Sequence, residues 1–258
     1  MFYILSFFFG ASIGSFVQVI ATRLNVASII KTRSKCLSCG EALRAYDLFP
    51  IFSYLLLRGK CRHCKSSYGI SALIIEAIYG LVFVLLYQFM MKGEASLSVS
   101  AIWFVYYTLL FITLGVIALY DKAHSYIPIS YLFGYLMLSL IVLVKSYIHE
   151  PSFLTIISPF AVALPFLLIW IISKGKALGF GDVILFFGVG AFFGLAQGSA
   201  VFLISIWAGA IFGAVKYFLT EKSKRKNMTI PFVPFIVFAF LFVLFTDIDL
   251  FSIASLFA

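Results

Sequence analysis

The sequence predicts an all-α polytopic membrane protein with about eight transmembrane helices and a small cytoplasmic zinc-binding module between the first and second helices. Three observations support this fold class: the composition, the lengths of the apolar runs and the placement of positive charge. Hydrophobic residues fill 63% of the 258 positions, charged residues fill only 11%, and the mean hydropathy is +1.11. A soluble domain must keep its surface solvated, so this composition excludes a soluble protein.

Apolar runs of about 20 residues, the length that crosses a bilayer, recur along the chain. They are continuously apolar and do not alternate, which favours helices over strands. The runs cover residues 2–22, 70–91, 99–120, 127–146, 153–173, 183–197, 199–219 and 230–247. The sixth is short and follows a polar, glycine-rich entry, which is typical of a tilted or partly re-entrant segment. The predicted domains are a first transmembrane helix (1–22), a cytoplasmic module (23–69) and a seven-helix membrane domain (70–258).

The positive charge is unevenly placed, and this predicts the orientation in the membrane. With both termini on the non-cytoplasmic side, the cytoplasmic segments hold 17 of the 19 Lys and Arg residues; these segments are 23–69, 121–126, 174–182 and 216–229. This asymmetry follows the positive-inside rule. It accounts for the net charge of +9 without nucleic acid as a partner, and it adds attraction to anionic membrane lipid.

Glycines four residues apart occur in three of the apolar runs. This spacing lets two helices approach closely, because it removes side chains from one face. The pairs are Gly10 with Gly14, Gly190 with Gly194, and Gly209 with Gly213. We therefore expect tight helix packing at these positions.

All four cysteines fall in the 23–69 module. They form two C-x-x-C pairs, Cys36 with Cys39 and Cys61 with Cys64, separated by 21 residues, a slightly longer gap than usual. Two such pairs supply four thiolates for a tetrahedral zinc site. The alternatives are two disulfides or four free thiols, and the reducing cytoplasm disfavours disulfides. Four protein ligands leave no open position on the metal, so the predicted zinc is structural and supplies folding energy to a module with little core.

Two of the ten acidic residues lie at predicted membrane boundaries on the cytoplasmic side. Asp121 ends the third apolar run and Asp182 opens the sixth, where Gly179 and Gly181 permit close backbone approach. Two facing carboxyl groups, one protonated and one ionised, can hydrolyse a peptide bond by general acid and base catalysis. For each aspartate alone, a helix cap or a boundary residue in contact with water is the alternative.

A third acidic residue, Glu76, lies inside the second run and is either a buried hydrogen-bonding group or a functional one. Two other classes of function are alternatives to proteolysis. A transporter would place acidic residues near the middle of the bilayer and show inverted repeats, and the sequence has neither. A membrane methyltransferase, or a scaffold whose acidic pair is not catalytic, remains the alternative.

Five motifs, in order along nearly the whole chain, resemble those of the type IV prepilin peptidases, which are bifunctional leader peptidases and N-methyltransferases among the GxGD intramembrane aspartyl proteases. They are Gly14-Ser15-Phe16 with Arg23-Leu24, the cysteine-bearing stretch 34–64, Asp121 with Ile127-Pro128, Gly179-Phe180-Gly181-Asp182, and Ile230-Pro231-Phe232 with Pro234.

The resemblance implies an enzyme of the prokaryotic inner membrane that cuts the basic leader from type IV prepilins, or from the pseudopilins of type II secretion, at the cytoplasmic face. It also implies methylation of the new N-terminus with S-adenosylmethionine, whose contact residues the motifs do not assign. Asp121 and Asp182 would be the catalytic pair, and the zinc-binding module would support the methyltransferase half. The chain departs from the family pattern at Gln18, where Asn is usual, at Ile129, where Asp is usual, and after Leu24, which no proline follows.

Overall fold

The computed structural model describes residues 1–29, 33–36, 38–92, 96–176, 178–220 and 230–255. The predicted cytoplasmic segment 216–229 therefore lies mostly outside the described residues. Within them the chain is helical, and the only β-type pairing is at two isolated bridges, Lys35 with Ala42 and Lys60 with Ser67. The helices are α1 (Phe2–Arg23), α2 (Phe52–Leu56), α3 (Ser71–Met91), α4 (Leu97–His124), α5 (Ile129–His149), α6 (Phe153–Ser173), α7 (Phe180–Leu219), α8 (Val233–Thr246) and α9 (Leu250–Ser255), with a 3₁₀ turn at Ala45–Leu48.

Six of these helices, α1 and α3 to α7, are long and apolar enough to cross a membrane by length and composition. The all-helical character is thus confirmed, while the number of eight spans stays a prediction. The predicted runs 183–197 and 199–219 both lie within α7, and the last run contains α8, which has only 14 residues. Helix α4 extends to His124, so Asp121 lies in its last turn and not just beyond it.

The chain divides into two compact units, Met1–Thr108 and Leu109–Ala258, with the boundary inside α4. In the first unit, α1 packs along α3. A Cβ on Gly10 would stand 2.5 Å from the carbonyl oxygen of Tyr79, and one on Gly14 would stand 2.8 Å from the Tyr79 Cβ. The close approach expected from this glycine pair is confirmed. The cysteine module follows α1 in the same unit.

In the second unit, α7 packs against α5, α6, α8 and α9. The Phe166 ring of α6 stacks on the Phe186 ring of α7 with centroids 4.0 Å apart, and both side chains are buried. Tyr135 of α5 is fully buried against Gly188, where a Cβ would clash with its ring. These contacts fix α7, and with it Asp182, relative to the neighbouring helices.

Within α7 the two members of the predicted Gly190–Gly194 pair behave differently. Gly190 lies against α6, since a Cβ there would be 2.6 Å from the carbonyl oxygen of Ser158. Gly194 has φ 74° and ψ −168°, and among the described residues no atom beyond its own stretch of helix lies within 4 Å of the position its Cβ would take. The packing expectation is therefore wrong for Gly194, which interrupts the helical backbone. The α7 segment is two helices joined at this residue.

Candidate active site and cysteine cluster

Asp121 lies where α4 ends. The backbone amide of Ser125 donates to the Asp121 carbonyl at 2.7 Å, and Ser125 has φ 52°, so the helix stops one turn after the aspartate. The chain then runs through Tyr126 and Ile127 to Pro128, the residue that precedes α5. Proline favours an extended conformation in the residue before it, which explains why α5 starts only at 129.

Asp182 lies in the first turn of α7. Gly179 precedes the helix in an extended conformation, and its amide donates to Asp182 Oδ2 at 3.2 Å. A carboxylate in this position is favoured by the unpaired amides of the helix start. Gly181 brings the same turn against the chain after α4, because a Cβ there would be 2.9 Å from Ile127 Cδ1.

The start of α8 contacts the other aspartate. The Val233 amide donates to Asp121 Oδ2 at 3.2 Å, in a buried hydrogen bond. Val233 is not predicted from the sequence, because a backbone amide carries no residue-type pattern. The prolines at 231 and 234 are the signal that could have found it, since proline in the first turn is typical of helix starts, where amides are unpaired.

The two aspartates meet at one cavity of about 510 Å³. Asp121 is 8% exposed and Asp182 is 9% exposed, and their carboxyl groups lie close enough to interact electrostatically. The structure therefore brings together the two residues that the sequence paired, with Gly179 and Gly181 on the same lining. Such an arrangement, with one carboxyl protonated and the other ionised, suits acid and base chemistry on one bound group.

The rest of this cavity is mostly apolar. Ile127, Ile129, Leu132, Phe180 and Ile184 line it, with Ser125 and Tyr126 as polar members. Ile129, at the position where the resembled family usually has an acidic residue, is 70% exposed and adds apolar surface there. The departure therefore lies on the cavity lining but leaves both aspartates in place.

The four cysteines converge on one point in the first unit. Their sulfur atoms all lie within 4.8 Å of one another. The two pairs have the same backbone design: Gly40 donates to the Cys36 carbonyl at 2.9 Å, and Lys65 donates to the Cys61 carbonyl at 3.0 Å. Both of these donors have a left-handed backbone, with φ 72° at Gly40 and φ 60° at Lys65.

Backbone amides favour the thiolate at the first cysteine of each pair. The amide of Cys39, helped by the Ser66 hydroxyl, lowers the pKa of Cys36 to about 6, and the amides of Cys64 and His63 lower the pKa of Cys61. At Cys39, the Glu41 amide favours the thiolate, but burial and the neighbouring thiols raise the pKa to about 12. Negative charge thus accumulates around one point, which a divalent cation would neutralise. The donor set fits zinc.

The three remaining polar candidates lie outside the aspartate cavity. Glu76 is buried in α3 and accepts a hydrogen bond from the Ile51 amide at 2.8 Å. His124 stacks on Tyr120 with centroids 4.3 Å apart, and His63 is exposed. Neither histidine lines the aspartate cavity.

Two family models match the chain. The bacterial peptidase A24 N-terminal domain matches residues 8–90, and the type IV leader peptidase family matches residues 108–214. The second match contains Asp121 and Asp182, and the first contains all four cysteines. No solved structure was found to match the chain.

Curated relatives extend the match over most of the chain. A prepilin leader peptidase/N-methyltransferase of Vibrio cholerae is 26% identical over 91% of this chain and 92% of its own length. A protein of the same name from Aeromonas salmonicida is 24% identical over 93% of this chain and 89% of its own length. A type 4 prepilin-like proteins leader peptide-processing enzyme of Escherichia coli is 26% identical over 80% of this chain and 73% of its own length.

These matches show that the chain is an enzyme of the peptidase class. It belongs to the type IV leader peptidase family, whose two matched domains follow each other here in the order of the two compact units. The resemblance drawn from the five sequence motifs is thereby confirmed.

Proposed function

We propose that the protein is a membrane aspartic endopeptidase that removes the basic leader from type IV prepilins or pseudopilins, with Asp121 and Asp182 as its catalytic pair. The observation that carries the proposal is the meeting of two buried carboxyl groups at one cavity. The family membership supports the substrate class, since relatives are named for prepilin processing.

The hydrogen bonds at the site suit this role. Asp121 and Asp182 each use Oδ2 to accept from a backbone amide, that of Val233 or Gly179. This orients both carboxyl groups and leaves Oδ1 of each for a water molecule and the scissile carbonyl. Because the donors are backbone amides at helix starts, the orientation is maintained by helix packing.

Hydrolysis then needs two proton transfers to form the tetrahedral intermediate and two to break it down. The ionised carboxylate takes a proton from water as its oxygen attacks the carbonyl carbon, while the protonated carboxyl donates to the carbonyl oxygen. The tetrahedral intermediate then collapses and the C–N bond breaks. The leaving amine receives the proton held by the first carboxyl group, and a hydroxyl of the intermediate returns a proton to the second, which restores the starting protonation states. The products are the leader, with a new carboxylate, and the mature chain, with a new N-terminal amine.

The proposed setting is the inner membrane of a bacterium, with the aspartate cavity at the cytoplasmic face and both termini on the opposite side. The six long apolar helices and the concentration of Lys and Arg in the predicted cytoplasmic segments support it.

Replacement of either aspartate by asparagine tests the catalytic assignment. Asp121→Asn and Asp182→Asn keep the side-chain shape and the acceptor oxygen but remove the acid–base group, so prepilin cleavage falls by about 10³-fold or more. Asp247→Asn is the matched control: this residue is exposed and has φ 59°, a conformation that Asn adopts readily. Gel analysis of prepilin processing measures the rates. Cleavage at the parental rate by either variant would refute the pair.

A second activity, N-methylation of the new amine, is proposed because several relatives are named N-methyltransferases. S-adenosylmethionine would supply the methyl group. Zinc held by Cys36, Cys39, Cys61 and Cys64 would cross-link the two cysteine pairs. Mass spectrometry of the processed N-terminus, with and without the methyl donor, tests this activity; product that stays unmethylated with donor present argues against it.

A further inference from the structure

A second cavity, of about 380 Å³, lies in the first unit, far along the chain from the aspartates. Its lining includes Ser15 of α1, Lys35, Asp47, Tyr54, Tyr68 and Glu76 of α3. The volume falls within the range of small-molecule sites. The cavity lies in the stretch matched by the N-terminal domain model, whereas the aspartate cavity lies entirely in the stretch matched by the peptidase model.

Glu76 is the unusual group on this lining. It is 9% exposed in a helix apolar enough to span a membrane. Its Oε2 accepts from the Ile51 amide, and its other oxygen has no hydrogen-bond partner among the described residues. No Lys or Arg of the described chain forms an ion pair with it. A buried carboxylate is costly when it has no cation beside it, and such residues inside membrane helices are typically functional.

A strained turn positions this carboxylate. The Phe52 amide donates to the Pro50 carbonyl at 2.7 Å, and Ile51 between them has φ 65° and ψ −55°. This is a classic γ-turn, which is rare, and a β-branched residue at its centre is strained. The strain points the Ile51 amide at Glu76 Oε2. The fold thus holds one carboxylate oxygen in place and leaves the other beside the cavity.

The other charges on the lining complement that arrangement. Asp47 forms an ion pair with Arg62 at 2.9 Å, so Glu76 is the acidic group without a cation. Lys35 is exposed and offers a positive charge on the same lining. Tyr54 and Tyr68 add aromatic surface. A fitting ligand is a small molecule with a cationic centre, a carboxylate and an aromatic ring.

We propose that this cavity binds S-adenosylmethionine, with Glu76 facing its positive charges. The inference rests on the proposed methylation and adds a site to it. S-adenosylmethionine carries a sulfonium, an amino-acid carboxylate and an adenine. Glu76 would face the sulfonium, Lys35 would pair with the carboxylate, and the tyrosine rings would pack against the adenine.

Binding to the purified full-length protein in detergent, measured by titration calorimetry, tests the site. The parent protein binds S-adenosylmethionine more tightly than S-adenosylhomocysteine, which lacks the sulfonium charge. Glu76→Gln keeps the shape and an acceptor for the Ile51 amide but removes the charge, so affinity for S-adenosylmethionine falls about tenfold or more while that for S-adenosylhomocysteine changes far less. Glu150→Gln, at an exposed position in the second unit, changes neither affinity.

A second variant tests the volume and not the charge. Ala72 lines the cavity one helical turn before Glu76, so Ala72→Phe fills the space and abolishes binding of both compounds. Thermal unfolding and thiol protection of each variant report its folding. If the parent protein binds S-adenosylmethionine and both variants bind it with the same affinity, the cavity assignment is overturned. The proposed methylation would then still stand. No binding by the parent would refute the proposed methylation itself.

Discussion

The cysteine module and the aspartate cavity hold their polar groups in opposite ways. Between residues 24 and 69, the described chain has only four buried residues: Cys36, Pro50, Gly59 and Cys61. The aspartate cavity instead lies among helices that carry several fully buried side chains, such as Tyr135, Phe186 and Phe240. In the module, amide hydrogen bonds within each pair set the geometry. At the cavity, Asp121 and Asp182 come from two helices, and the Val233 amide of a third helix bonds Asp121.

This contrast indicates which kind of change each region tolerates. A module with so little apolar core depends on a ligand for its free energy of folding. A cavity made by packed helices depends on the fit between their surfaces. Ligand removal and changes in helix packing should therefore affect the two regions separately.

Metal removal should have the largest effect. A strong chelator added to zinc-loaded protein opens the module, and the rate of thiol alkylation rises about tenfold or more. The thermal unfolding of the second unit changes little, because it contains no cysteine. Mass spectrometry of alkylated protein counts the reactive thiols. Equal labelling rates with and without chelator would contradict the dependence on a metal.

A steric change at a helix contact should have the second-largest effect. Gly190→Ala puts a methyl group 2.6 Å from the Ser158 carbonyl oxygen and 2.7 Å from the Pro159 Cα, and neither backbone atom can move easily. We expect a loss of about 1–3 kcal/mol in the free energy of unfolding. Cleavage should weaken as well, whereas metal content should not change.

Gly134→Ala is the matched control for this contact. The added methyl group would be 3.7 Å from Thr113 Cγ2, an ordinary contact, and alanine favours a helix over glycine, so this variant should be as stable as the parent or slightly more so. Denaturant unfolding in detergent compares the two. Equal stability of the two variants would show that the close contact between α6 and α7 at Gly190 contributes little to the free energy of unfolding.

The smallest effect should come from the two matching turns of the cysteine pairs. Lys65 occupies with φ 60° the position that Gly40 occupies with φ 72°. Lys65→Gly removes a side chain from a left-handed backbone position, and Gly40→Ala adds a side chain to one. The two variants should therefore shift the free energy of unfolding of the module in opposite directions by about 1 kcal/mol. Chelator competition measures this as slower metal loss for the first variant and faster loss for the second. Shifts of the same sign would contradict the equivalence of the two turns.

The sequence predicted features that depend on local spacing or on depth in the membrane. The cysteine pairs are short motifs, and hydropathy places Asp121 and Asp182 near the ends of apolar runs. The close approach at Gly10 and Gly14 also follows from spacing alone. Whether the eight predicted spans and the domain boundaries hold stays a prediction.

Hydrogen bonds from backbone amides of distant chain segments could not be predicted. The Val233 amide reaches Asp121 across 112 positions, and Glu76 reaches the Ile51 amide across 25 positions. Gly194 has the same four-residue spacing as Gly14, yet it interrupts a helix where Gly14 packs on one. The spacing of the glycines shows which face of a helix lacks side chains. Tertiary contacts decide whether a neighbouring helix packs against that face.

The interruption at Gly194 has a mechanical consequence for Asp182. The stretch from Phe180 to Phe193 is about 21 Å long at 1.5 Å per residue, less than the thickness of a hydrocarbon core of about 30 Å. The Ser158 hydroxyl on α6 donates to the Gly190 carbonyl at 3.0 Å and anchors this short segment close to its far end. Contacts with α6 on the Asp182 side of Gly194 therefore orient the short segment, and we expect its orientation to depend less on the portion after the interruption.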